Sequence, residues 1–318
     1  MGKYRRELSV TLAYATLLVV LAVFAPSFFR GDKLLSIFVT SAPVLVAAVG
    51  MTVVILTRQV DISIGSQFSV CAVAAGLLAQ AGAPIPLVVL AAMSFGAMLG
   101  ALNGVLIAGL RLPSIVVTLA TMVILREGLR WWREGESVKN LPADFQWFGL
   151  GQDVGQWLII GVALAILITM ALALRYLAAG RAVYATGSDP EAAWLVGIRP
   201  SRVVFGVFVL MGALAGLAAM LNSVRFADVD ASAGLGMELE VITAVVVGGV
   251  AVSGGRGTLI GPFVGVLLLG TIGSALVFLG AEAYWAKAIQ GAIILLAVAS
   301  DAFNLRQRKH ADLRPATT

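Results

Sequence analysis

The chain has 318 residues, of which 60% are hydrophobic and only 12% charged, with 35 glycines and a formal net charge of +5. A soluble domain carries about 25% charged residues, so this composition excludes an ordinary water-soluble protein and points to an all-α polytopic membrane protein in contact with lipid. The basic residues lie in scattered short segments rather than in one patch, which argues against a nucleic-acid partner.

The N-terminus places Lys3, Arg5 and Arg6 before an apolar run from Leu8 to Ala25. That run is long for a signal peptide, and Pro26 is a poor residue to follow a cleavage site, so it reads as an uncleaved first span. Apolar stretches then predict about ten spans, at 8–26, 34–57, 67–82, 86–110, 112–130, 157–177, 203–222, 238–252, 259–280 and 285–303. The eighth is short and reads as a half-helix or re-entrant piece. Lys and Arg set the orientation. With alternation from a cytoplasmic N-terminus, 14 of the 22 basic residues fall inside, and both termini are cytoplasmic. The whole chain, 1–318, is then one permease-like domain with a cytoplasmic loop at 178–202, an external loop at 131–156 and a basic cytoplasmic tail at 304–318. Trp131, Trp132, Trp147 and Trp157 in or beside the external loop read as membrane-interface anchors. The sole cysteine, Cys71, sits in an apolar run and reads as a small buried residue.

Three polar interruptions carry the functional signal. The first runs from Arg58 to Gln67, between the second and third spans. Its backbone would be costly in lipid, so it should be buried in protein or line a wet path. Gln59, Asp61, Ser63, Ser66 and Gln67, with Asn103 of a neighbouring span, are the candidate path-lining groups. A tight turn between spans is the plain alternative. Thr118, Thr121, Asn222 and Thr243 read as helix–helix hydrogen-bonding residues.

The second interruption, 181–202, holds a helix-start signal at Asp189-Pro190-Glu191. Asp caps free N–H groups, Pro suits the first helical position, and Glu complements the helix dipole. Gly197 and Pro200 stop the helix after about two turns. So short a helix is marginal alone, which marks it as a docking element. The third interruption is a glycine block, Gly248, Gly249, Gly254, Gly255 and Gly257. So many glycines suggest backbone packed closely against another element. The block lacks the Gly-Lys-Ser/Thr ending of a phosphate loop, so the chain is not read as an ATPase or other enzyme. Intramembrane acids are few, and the only histidine, His310, lies in the basic tail. That scarcity disfavours the competing reading, a secondary carrier or passive channel for a small neutral solute.

Four segments carry a resemblance: VDISIGS (60–66), LNGVLIAGLRLPSIVVTLATM (102–122), Gly180 with the RAVYATGSDPEAAWLVGI that follows it (181–198), and the glycine-containing stretch 238–270. In this order and spacing they resemble the inner-membrane permeases of ribose-type sugar ABC importers, over roughly 40–305. The resemblance implies import of a monosaccharide such as ribose or rhamnose, or of an autoinducer-type compound. It implies a second permease copy or paralogue, a periplasmic or surface sugar-binding protein, and a cytoplasmic ATP-binding subunit that holds the ATP, so that the chain itself carries no cofactor and no metal. It places the ATPase-coupling helix on Asp189, Pro190, Glu191, Ala192, Ala193 and Gly197. The family's usual asparagine is Asp189 here, and either residue caps.

Overall fold

The structure is a computed structural model that describes residues 5–278 and, beyond them, only 285, 288, 289, 291 and 292. The expected tenth span and basic tail therefore lie largely outside the described residues. α1 (Arg5–Phe24) ends in a short 3-10 turn at Pro26 and is followed by α2 (Gly31–Leu56), α3 (Ile64–Gln80) and α4 (Ile85–Gly104). α4 continues as a π-helical turn over Val105–Gly109. Next come α5 (Ser114–Arg133), α6 (Gln152–Tyr176), α7 (Ala178–Ser188), α8 (Pro190–Leu195), α9 (Pro200–Ser223), α10 (Met237–Val247) and α11 (Ile260–Phe278). The only β-pairing among the described residues is an isolated bridge between Val138 and Val229.

Five helices among the described residues are long and apolar enough to cross a membrane: Gly31–Leu56, Ile85–Gly109, Gln152–Tyr176, Pro200–Ser223 and Ile260–Phe278. Leu8–Phe24 and Ile64–Gln80 are apolar but shorter. α5 falls outside this set because Arg126, Glu127, Arg130 and Arg133 crowd its last two turns. α10 has 11 residues, half the length of a span, as its sequence suggested.

α2 is the centre of the bundle, almost wholly buried, while α6 shows most of its surface to the outside. α9 packs on α2, α3 and α4. Its seam with α4 is built on glycines four residues apart, Gly96, Gly100 and Gly104 on one helix and Gly212 and Gly216 on the other, with Gly104 set against Phe205 and Gly216 against Ala92. A Cβ on Gly96 would run into the Gly212 carbonyl, and one on Gly212 into the Gly96 carbonyl. Apolar packing alone does not drive helices together in lipid. Small residues that let backbones touch are therefore the expected means of association.

The two ends of the bundle have different partners. At one end the 134–151 connection meets the segment after α9. Val138 and Val229 exchange hydrogen bonds of 2.9 and 3.0 Å, and the Trp147 N–H donates to the Val224 carbonyl at 2.7 Å. At the other end the α2–α3 connection, the end of α7 and the α10–α11 connection meet. This second end gathers Arg58, Arg181, Arg199, Arg202 and Arg256, the segments assigned to the cytoplasmic side by their basic residues.

Candidate functional site

The stretch read from sequence as a docking element folds as two helices rather than one. The sequence pattern marks a single helix here, starting at Asp189. In the structure 181–188 is the body of α7, and its glycines are where it touches other backbone. A Cβ on Gly180 would meet Leu174, and one on Gly187 would meet the Leu56 carbonyl and Gly255. α8 follows at once. The Asp189 carboxylate accepts from the backbone N–H of Glu191 at 3.0 Å and of Ala192 at 3.1 Å. Pro190 occupies the first turn. Gly197 adopts φ +86°, a region suited to glycine, and turns the chain into α9 at Pro200.

Of the coupling residues named from sequence, Asp189, Pro190, Glu191, Ala192 and Gly197 are exposed, whereas Ala193 is 3% exposed and faces inward. The exposed apolar side chains of this element are Trp194, Leu195 and Val196, at 67%, 77% and 76%. Sequence reasoning missed them, because a Trp-Leu-Val run reads as core until the neighbours that fail to cover it are known.

The path-lining candidates fall into a compact buried cluster where α3, α4 and α5 meet. Asp61 Oδ1 accepts from the Ser63 N–H at 2.9 Å and from Ser63 Oγ at 2.5 Å. The Gln67 amide donates to Asp61 Oδ2 at 3.1 Å and to Ser63 Oγ at 2.7 Å. Asn103 Nδ2 also donates to Ser63 Oγ, at 2.9 Å, and Thr121 Oγ1 donates to Asn103 Oδ1 at 2.7 Å. Ser63 Oγ thus gives one hydrogen bond and receives two, its full capacity. Asp61, Ser63, Gln67 and Asn103 have no exposed surface. Burial pushes the Asp61 carboxyl above its ordinary range, and the hydrogen bonds from Ser63 and Gln67 oppose that shift. Ser66 lies beside the cluster, its hydroxyl donating to the Met122 carbonyl at 2.9 Å. Gln59 stands apart, with a long 3.5 Å contact to the Thr57 carbonyl. In this conformation the cluster closes on itself except at the buried Gln67 Oε1, which has no hydrogen-bond partner among the described residues. It joins three helices, with Thr121 as a member that sequence reasoning had placed among helix–helix contacts.

The half-helix α10 is pinned at its start. Glu238 is buried, and its Oε1 pairs with Arg126 of α5 at 3.1 Å. A Cβ on Gly65 would strike the Glu238 carboxylate and the Gly234 carbonyl, so the first turn of α3 and the approach to α10 are in backbone contact. Gly234 N–H donates to Ser69 Oγ at 3.0 Å. At the far end of α10, Gly248 packs against Gly261 and Pro262 of α11, while Gly249, Gly254, Gly255 and Gly257 all have positive φ. A separate cavity of about 400 Å³ lies between α2, α6 and α11, lined by Leu34, Phe38, Leu45, Trp157 and Phe263. Apart from Ser41 its walls are apolar, so it offers a hydroxylated solute little to bind.

A family model described as the permease component of a branched-chain amino acid transport system matches residues 33–298. The chain belongs to this permease family. It is 35% identical over 292 residues to the autoinducer 2 import system permease protein LsrC of Enterobacter sp. (strain 638), covering 91% of this chain and 84% of that one. It is 33% identical to the proteins of that name from Salmonella typhi, over 96% of this chain and 90% of that one, and from Escherichia coli O157:H7, over 96% and 92%. No solved structure matches. The chain is thus a multi-pass inner-membrane permease subunit of the ABC-importer class, in the ribose-type branch that the sequence pattern indicated.

Proposed function

We propose that this chain forms the membrane path for autoinducer 2 or a monosaccharide such as ribose or rhamnose, and that a separate cytoplasmic ATPase drives it through α8. The observation that carries this reading is the capped α8, which holds Trp194, Leu195 and Val196 out from the basic end of a family permease. Three adjacent exposed apolar side chains on a short helix are best explained by a partner groove that covers them. The relatives are autoinducer 2 import permeases by name, which puts that compound first among cargoes. The reading includes ten crossings with both termini cytoplasmic, a second permease subunit, and a sugar-binding protein on the far side. The cluster of Asp61, Ser63, Gln67 and Asn103, with Ser66 beside it and Gln59 set apart, lines the path when the bundle opens. Hydroxyls and amides already bonded to one another exchange partners with a polyhydroxylated solute at little net cost.

Co-purification of the chain with the ATPase of its system, followed by ATPase assays in lipid with candidate binding proteins, tests this. Stimulation by one loaded binding protein and not by its empty form is the expected result, and it names the cargo. Flux of the same solute into vesicles lacking the ATPase would instead favour a passive or secondary carrier.

A further inference from the structure

The glycine block has no chemistry of its own, and the import reading leaves it without a task. Its surroundings supply one. Residues 251–256 fold into a tight hairpin, closed by the Ala251 N–H donating to the Arg256 carbonyl at 2.9 Å. Three elements converge on this hairpin. The Gly255 N–H donates to the Leu56 carbonyl at the end of α2, at 2.9 Å. Tyr184 of α7 donates its hydroxyl hydrogen to the Gly257 carbonyl at 2.8 Å. Gly254 and Gly255 lie so close to Arg58, Gly187 and Ser188 that a Cβ on either would collide with them.

Arg58 closes the assembly. Its guanidinium donates to the Gly187 carbonyl at 2.5 Å and to the Ser188 carbonyl, the last two residues before the Asp189 cap. Its backbone sits at φ +63°, a conformation that ordinary side chains avoid. Such a residue persists where its surroundings hold it, and here two carbonyls of the docking element do so.

We infer that the glycine hairpin and Arg58 form the joint that carries movement of α8 into the membrane, with Arg58 as a positioning residue. The contacts make a continuous route. α8 is fused to the end of α7, which Arg58 and the hairpin grip. The hairpin follows the lower end of α10, and the upper end of α10 bears Glu238, paired with Arg126 and pressed on Gly65 of α3. Gly65 follows the Asp61–Ser63 cluster directly in the chain. A push on α8 therefore reaches the buried polar cluster both through the α2–α3 connection and along α10. Glycine is needed at 187, 254 and 255 because any side chain would part the surfaces that transmit the push. Residues along such a chain of contacts can modulate coupling without touching either ligand, and the two-state movement they would transmit is what the experiment below reads.

This inference rests on α8 being the ATPase-docking element, and the experiment separates the two. The complete permease with its ATPase is reconstituted in liposomes, in a Cys71→Ala background with Leu239→Cys as a reporter at the top of α10, an exposed position. Labelling of that cysteine by a water-soluble maleimide is followed with and without ATP, beside ATPase co-purification. Arg58→Ala, Gly187→Ala and the milder Tyr184→Phe are compared with Arg58→Lys. The unsubstituted joint should show ATP-dependent labelling. Arg58→Ala and Gly187→Ala should lose it by about tenfold while still retaining the ATPase, Tyr184→Phe should lose less, and Arg58→Lys should recover part of it. ATP-dependent labelling unchanged in Arg58→Ala and Tyr184→Phe would overturn the joint. So would loss of the ATPase in those two variants, which would make Arg58 and Tyr184 part of the docking surface. If the unsubstituted permease binds no ATPase at all, the import reading fails first.

Discussion

The membrane core and the α8 end of this molecule, the end proposed to couple to an ATPase, use their side chains in opposite ways. In the core, contacts close within the chain. Gly96 and Gly212 meet backbone to backbone, and Ser63 Oγ gives and receives every hydrogen bond it can. At the α8 end, local geometry is settled internally by the Asp189 cap, but the large side chains that follow are left uncovered. The difference teaches where each region's energy lies. Core substitutions should change the stability of the chain alone. Substitutions of the uncovered side chains Trp194, Leu195 and Val196 should change association and leave the isolated chain intact.

The sharpest way to break this contrast is in the glycine seam. Gly212→Leu puts a side chain into the Gly96 carbonyl, and overpacking of even a few atoms costs about 1–3 kcal/mol. We expect no monodisperse permease by size-exclusion chromatography in detergent, and Gly212→Ala should show a clearly lowered Tm. Second in size is Ser63→Ala, which strips partners from Asp61, Gln67 and Asn103 at once. Asp61 and Gln67 keep their other bonds at a cost of about 1 kcal/mol for each one lost, and the Asn103 amide left unmatched costs about 1–3 kcal/mol, so a loss of about 3 kcal/mol is expected from thermal unfolding. Trp194→Ala should leave Tm unchanged and weaken ATPase binding by about 2 kcal/mol, or roughly thirtyfold, as for an interface anchor. The smallest effect belongs to Asp189→Ala, which removes the cap of α8 and should lower ATPase affinity by about 1 kcal/mol, while Asp189→Asn restores it. A Trp194→Ala variant that unfolds, or a Ser63→Ala variant with unchanged Tm, would dissolve the contrast.

The sequence carried the local signals well. The cap at Asp189, the stop at Gly197 and the half-length α10 follow from residue type and spacing alone, because each depends on neighbours a few residues away. The polar cluster was visible as a set of residues, since polar groups are rare in an apolar chain. Its closed geometry was not, because the partnership of Asn103 with Ser63 and Thr121 depends on how α4 crosses α3 and α5. α7 was hidden for a related reason. Its glycines lower helix propensity, and only contact with Leu56 and Gly255 explains why they are there. The exposure of Trp194, Leu195 and Val196 depends on what does not pack against them, which no local pattern records. Arg58 reads as one more basic loop residue until its guanidinium is seen on the carbonyls of Gly187 and Ser188.

The most direct test of the central claim is the affinity of the permease, held in lipid nanodiscs, for the ATPase of its system, with and without Trp194→Ala. The account predicts tight binding by the unsubstituted chain, and a loss of about thirtyfold in the variant at unchanged thermal stability. Equal affinity in the two proteins would contradict it, and would place the ATPase on a surface other than α8.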